Sequence, residues 1–142
     1  MTAQLANTKA LLDQVFSLRQ KVFVVEQKVD ASEEFDEFED ISRHWVVLEE
    51  NLAVGTCRWR HTTNGIKLER FAVKETRRGK GIGSSLVEAA IRDIQEQAGK
   101  DKNLYLHAQL DAIPLYEKYG FSKEGEMFEE CNIQHYLMRR KS

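Results

Sequence analysis

Several signals that would place a protein in a special environment are missing from this sequence. It has a single proline, Pro114, and only two cysteines, Cys57 and Cys131. No Gly/Ser-rich stretch divides it and no repeat runs through it, so the 142 residues read as one domain, 1–142. Trp45–Leu48, four residues long, equals the longest fully apolar run, far below the ~20 residues of a membrane-spanning helix. A basic excess is also missing. The 21 Lys+Arg and 23 Asp+Glu leave a net charge of −2, which argues against a dedicated nucleic-acid binder. No basic-then-apolar segment opens the chain, so the expected compartment is the cytoplasm and the expected partners exclude membranes. Two cysteines in that setting read as free thiols rather than a disulfide. Metal is not expected either. Cys57-x-x-x-His61 and Cys131-x-x-x-His135 fall in strand-like runs, where a spacing of four covers about 13 Å. One ion holds its ligands at ~2 Å.

Hydrophobic residues make up 42% and charged residues 31% of the chain, an ordinary globular mix. Leu11, Leu12, Val15, Leu18, Val22 and Val25 recur at helical spacing and predict a helix over 8–27, with Thr8 or Asn7 as its cap. Glu33–Asp40 follows, six acids in eight residues, as a loop or short second helix. Runs 43–49, 53–61 and 65–74 read as strands, with Asn64-Gly65 a hairpin turn between the last two. Ile82, Leu86, Ala90, Ile94 and Ala98 are spaced by four and predict an amphipathic helix over 81–98, closed by Gly99. A buried strand at 104–109, a short helix near 112–119 and two strands near 121–127 and 133–140 complete the chain. The order implies a mixed α+β sheet with flanking helices.

The sharpest local feature joins strand 65–74 to the amphipathic helix. It is Arg78-Gly79-Lys80-Gly81-Ile82-Gly83-Ser84. Its glycines let the backbone turn tightly and approach a ligand. The unpaired N–H groups at the helix start, with the positive end of the dipole behind them, form an anion cradle. Neither the P-loop pattern nor the dinucleotide fingerprint fits, because Lys80 is followed by Gly81 and the third glycine of G-x-G-x-x-G is absent.

Arg78-x-x-Gly81-x-Gly83 resembles the acyl-CoA-binding motif of the GNAT N-acetyltransferase superfamily. Glu69–Val73 looks like that family's fourth strand, and Ala112–Phe121 resembles its A-x-x-x-Y-E-K-x-G-F segment. Leu18-Arg19 through Glu26-Gln27, Ala108-Gln109 and the tail Phe128–Met138 are similar to the small ElaA/YjcF-type branch. The resemblance implies the GNAT fold, a mostly antiparallel sheet whose fourth and fifth strands splay apart. It implies acetyl-CoA as co-substrate and direct acetyl transfer to an amine on a small molecule or peptide. Phe71, Ala72 and Val73 would bind the pantetheine arm. Arg78, Gly79, Lys80, Gly81, Ile82, Gly83 and Ser84 would hold the pyrophosphate.

Amide formation then asks for three services. A strand N–H such as that of Val73 would stabilise the oxyanion. Tyr116 matches the tyrosine that protonates the departing sulfur. Its bland alternative is a core aromatic. Glu69 and His135 are the candidates for the base, against readings as an ion-paired strand residue and a structural histidine; a water chain would serve as well. Arg19, Glu26 and Gln27 match the branch's helix, and a helix-to-sheet ion pair would explain them without function. The acidic run is either solvated surface or a lure for a cationic acceptor. Two rival functions stand beside acetyl transfer: a non-catalytic CoA-binding sensor or scaffold, and an acyl-homoserine-lactone-synthase-like acyltransferase. A homodimer is compatible with the sequence.

Overall fold

The computed structural model describes residues 2–142. A short strand β1 (Ala3–Leu5) leads into α1 (Lys9–Arg19). Thr8 caps α1 by accepting the Leu11 N–H at 3.2 Å. The helix does not run on regularly to residue 27. It passes into a π-helical segment over Gln20–Glu26, where Gln27 N–H reaches back five residues to the Val22 carbonyl. The wider turn rotates the apolar stripe out of phase. Val25, expected on the buried face, is 66% exposed, while Gln27 and Glu26 reach the cleft described below. A π-turn inside a helix is frequently found at functional sites.

One turn of helix, α2 (Ala31–Glu34), precedes the meander β2 (Arg43–Glu49), β3 (Leu52–Thr62) and β4 (Gly65–Val73). Then come α3 (Ile82–Ala98), β5 (Asn103–Gln109), α4 (Ile113–Lys118) and the hairpin β6 (Ser122–Glu130) and β7 (Ile133–Lys141). The seven strands form one sheet in the order β1-β2-β3-β4-β5-β7-β6. All pairings are antiparallel except β4 with β5. That one parallel contact holds only at Ile66 with Leu104 and Lys67 with Tyr105. Beyond Lys67 the two strands part, and the sheet opens into a V.

Alternation along the strands divides the core. Val47, Cys57 and Trp59 face α3 and α4, and Val46, Ala53 and Ala72 face α1. Gly55 on β3 lies where α3 crosses the sheet, and a Cβ there would overlap the Ile82 side chain. Asp93 pins α3 from below. Its carboxylate accepts from Arg43 at 2.7 and 2.9 Å and from the indoles of Trp45 and Trp59 at 2.9 and 2.8 Å.

The acidic run is neither a solvated face nor, for its central members, a free lure. Glu34 is 4% exposed and accepts from Arg19 at 2.8 Å. Glu39 takes both terminal nitrogens of Arg19 and one of Arg58. Asp36 takes the other face of Arg58 and Arg70. Arg19 and Arg58 are each 0% exposed, and Arg19 lies over the rings of Phe16 and Phe35. Buried guanidinium groups need such partners, since burying an unpaired charge is prohibitive. The run therefore folds inward around two arginines supplied by α1 and β3. Only Glu33, Glu37 and Asp40 among its acids stay exposed.

Candidate active site

The V between β4 and β5 opens into a cleft of about 650 Å³. One wall is the free edge of β4. Lys74 N–H donates to Val54 on β3, and backbone groups alternate along a strand, so the Val73 N–H and carbonyl face the open side. The Val73 carbonyl there accepts from Arg78 Nε at 3.1 Å. A bulge re-aims this edge: the β3 register slips between Thr56 and Arg58, and Arg70 takes φ 59°. Bulges of this kind recur beside active sites.

The glycine loop closes one end. Gly79 and Gly81 hold φ 77° and 82°, the left-handed region where a Cβ is costly. Gly81 caps α3 without any side-chain hydrogen bond. The first N–H groups of a 17-residue helix therefore have only the loop's own backbone and a ligand to turn to, as an anion cradle requires. Ile82 is 2% exposed, so its side chain serves the core and only its backbone can serve the loop. Lys80 is exposed, and Ser84 Oγ lies 3.5 Å from Lys118 Nζ. Arg78 is held away from the loop by Glu26, which accepts both of its terminal nitrogens at 2.6 and 2.8 Å. A ligand anion that takes Arg78 must displace this partner.

Tyr116 stands on α4, 5% exposed, with its ring edge-on to Phe71 at 5.4 Å and Phe121 at 6.2 Å. Tyr116 is among the residues that line the cleft. Burial, with Cys57 and Asp111 nearby, pushes its pKa up, so it stays protonated and available as a donor.

The opposite end gathers groups from β5, β7 and the hairpin tip. His135 pairs with Gln109 across β7 and β5 and is 6% exposed. Its Nδ1 lies 2.7 Å from the Ile133 carbonyl. A carbonyl can only accept, so Nδ1 carries the proton and Nε2 is left as the acceptor. The ring stacks on Phe128 at 5.7 Å. His107 Nδ1 is bonded to Glu130 at 3.0 Å. Gln27 and Gln109 exchange hydrogen bonds at 3.3 and 3.0 Å and tie the end of the π-helical segment to the tip of β5.

Glu69 also lines the cleft, but its carboxylate is surrounded by cations. Arg58 and Arg60 each donate at 2.7 Å, and Lys67 and Arg70 lie at 3.4 and 3.6 Å. Burial pushes this carboxyl up, yet the four cations outweigh it and hold it at about 2. Sequence reasoning passed over Arg58 and Asp111, met Glu130 only as part of the tail that resembles the ElaA/YjcF-type branch, and gave no sign of Gln109's partnership with Gln27. For Arg58 a signal existed, a charged residue inside the apolar run of β3.

Residues 9–142 match the family model described as an acetyltransferase (GNAT) domain. The N-acetyltransferase YjcF of Bacillus subtilis is 36% identical over 99% of both chains. An acyl-CoA N-acyltransferase structure from Pseudomonas aeruginosa superposes with a TM-score of 0.85 at 26% identity, covering 98% of this chain and 97% of that one. Escherichia coli ElaA superposes with 0.84 at 25% identity over 99% of each. With its splayed parallel pair, glycine-capped helix and cleft tyrosine, the chain belongs to the GNAT family of N-acetyltransferases.

Proposed function

We propose that the protein transfers an acetyl group from acetyl-CoA to a primary amine by direct attack in a ternary complex. The observation that carries this reading is Tyr116, a buried and protonated tyrosine whose hydroxyl makes no hydrogen bond among the described residues, in a cleft with a free strand edge on one side and a helix N-terminus at its end. A hydroxyl in that state is a proton donor waiting for a partner.

The free edge of β4 around Val73 offers the pantetheine arm the pairing that β5 has given up, with Phe71 and Ala72 next to it on the strand and the backbone groups of Ala72 turned to Thr56 on β3. Gly79 to Ser84 receives the pyrophosphate on backbone N–H groups, and Arg78 moves to it from Glu26. The acceptor enters from the His135 end. Its ammonium, with a pKa of about 10 when free, must lose a proton, and Nε2 of His135 takes it. The amine nitrogen then bonds to the thioester carbon while the Val73 N–H faces the oxygen that gains charge. The carbon–sulfur bond breaks, its electron pair stays on sulfur, and Tyr116 supplies the proton, while the nitrogen gives up its second proton to solvent as the amide forms and solvent reprotonates the tyrosinate. Glu69 is the anionic centre that holds Arg58, Arg60 and Arg70 in place. A carboxyl at about 2 is too weak a base to accept the proton.

Two substitutions at one glycine test the cofactor end. Gly81→Asn and Gly81→Asp both tolerate the left-handed conformation comparatively well and differ in charge. Calorimetry is expected to show acetyl-CoA affinity lost in Gly81→Asp and largely kept in Gly81→Asn. Equal affinities would remove the pyrophosphate from this loop. For the base, His135→Ala is expected to lower kcat about 10²-fold. Its kcat/KM should climb with pH, because solvent must then deprotonate the amine. A pH profile identical to that of the parent would take His135 out of the chemistry.

A further inference from the structure

The acids of the cleft fall into two kinds. Glu26, Glu34 and Glu69 are each committed to arginine. Glu33 and Glu130, on α2 and at the end of β6, form no ion pair with lysine or arginine among the described residues, and neither does Asp111, which stands just before α4 near Tyr116. Glu130 has His107 alone, a hydrogen bond that with the neighbouring charges keeps its carboxyl low and ionised. The nearest cations are already used: Lys67 by Glu69, and Arg70 by Glu34 and Asp36.

Between the two carboxylates lies the turn of the β6–β7 hairpin. Cys131 Sγ donates to Glu33 at 2.9 Å. Partial burial, the Glu33 hydrogen bond and the charge of Glu130 push this thiol up to about 11, so a weak neutral donor occupies ground where two carboxylates ask for a strong cationic one. Independently, His135 is more than nine-tenths buried beside them, with Nε2 unpartnered among the described residues and its ring in the lining of the same cavity.

We propose that the acceptor is an amine bearing a second cationic group, with the reacting nitrogen at His135 Nε2 and the remote ammonium or guanidinium between Glu33 and Glu130. This rests on the acetyl-transfer reading and specifies its substrate class. The two carboxylates supply binding and orientation.

The test compares 1,4-diaminobutane, butylamine and 4-aminobutyrate as acceptors with acetyl-CoA, in the parent, Glu33→Gln and Glu33→Gln/Glu130→Gln. The expected kcat/KM is about tenfold higher for the diamine than for butylamine, and lowest for the amino acid, whose carboxylate faces two others. The diamine-to-butylamine ratio should drop partway in the exposed-site variant Glu33→Gln and approach one in the double variant. A ratio near one in the parent, or a ratio untouched by Glu33→Gln and the double variant, overturns the proposal. If none of the amines is acetylated, the transfer reading fails by itself. Calorimetry of 1,4-diaminobutane with the CoA-loaded protein then decides the subsite: binding weakened by Glu33→Gln upholds it, and no binding in the parent overturns it.

Discussion

Tyr116→Phe is expected to slow turnover about 10²–10⁴-fold and to leave acetyl-CoA affinity and folding close to those of the parent. The substitution removes one oxygen. The ring keeps its edge-on contacts with Phe71 and Phe121, and the hydroxyl has no hydrogen bond among the described residues to lose, so neither packing nor a buried network is disturbed. What disappears is the proton for the departing sulfur. The deficit should therefore shrink with a thioester whose thiol is already a stable anion at neutral pH. Steady-state kinetics with the two donors, beside a thermal melt, checks this. A slow variant that is equally slow with both donors would mean that Tyr116 shapes the cleft instead of supplying the proton. A fully active one would make it a packing residue.

Arg58→Met carries the largest expected cost in stability, about 3–5 kcal/mol, the cost of breaking a buried charge network, with Tm lower by roughly 10–20 °C. Methionine fills much of the volume, but Asp36, Glu39 and Glu69 lose the guanidinium they share. The sign of the pH dependence follows from the carboxyls. In the folded parent Asp36 and Glu69 sit at about 2: burial raises both, and Arg58 and its fellow cations outweigh it. In the unfolded chain they titrate near ~4. Depressed folded values mean that this stabilisation is fully present above about pH 4 and fades as the pH falls towards 2. The gap between parent and variant should thus be widest at neutral pH and narrower at pH 3. Urea unfolding at both values measures it. A gap that does not change with pH would assign Arg58 to packing alone.

The same network explains why Glu33–Asp40 was open to two readings, both of which miss its centre. Charge density is visible in a sequence, but the partners of these acids are not. Arg19 lies 15 residues before Glu34 and Arg58 lies 22 after Asp36, and only the approach of α1 and β3 brings them together. Glu69 suffered in the same way. Its place on the cleft-lining strand was legible, whereas its proton affinity depends on four cations from β3 and β4.

By itself the sequence determined the elements whose cause is local. These are the meander with its Asn64-Gly65 turn, the four-spaced stripe of α3, the glycine loop before it and the short helix that carries Tyr116. Each rests on periodicity or backbone preference within a few residues. Tertiary structure decided the rest. It added β1, which has only three residues and exists through pairing with β2. It swung Val25 outward and brought Glu26 and Gln27 to the cleft through a π-turn. It limited the β4–β5 pairing to two positions, and that parting is the cleft. Among the described residues it left Glu33 and Glu130 without arginine partners while providing them to Glu34, Asp36, Glu39 and Glu69. Burial, register and the balance of charge are set by contacts between segments far apart in the chain, so the chemistry of each carboxyl here was fixed only when those segments met.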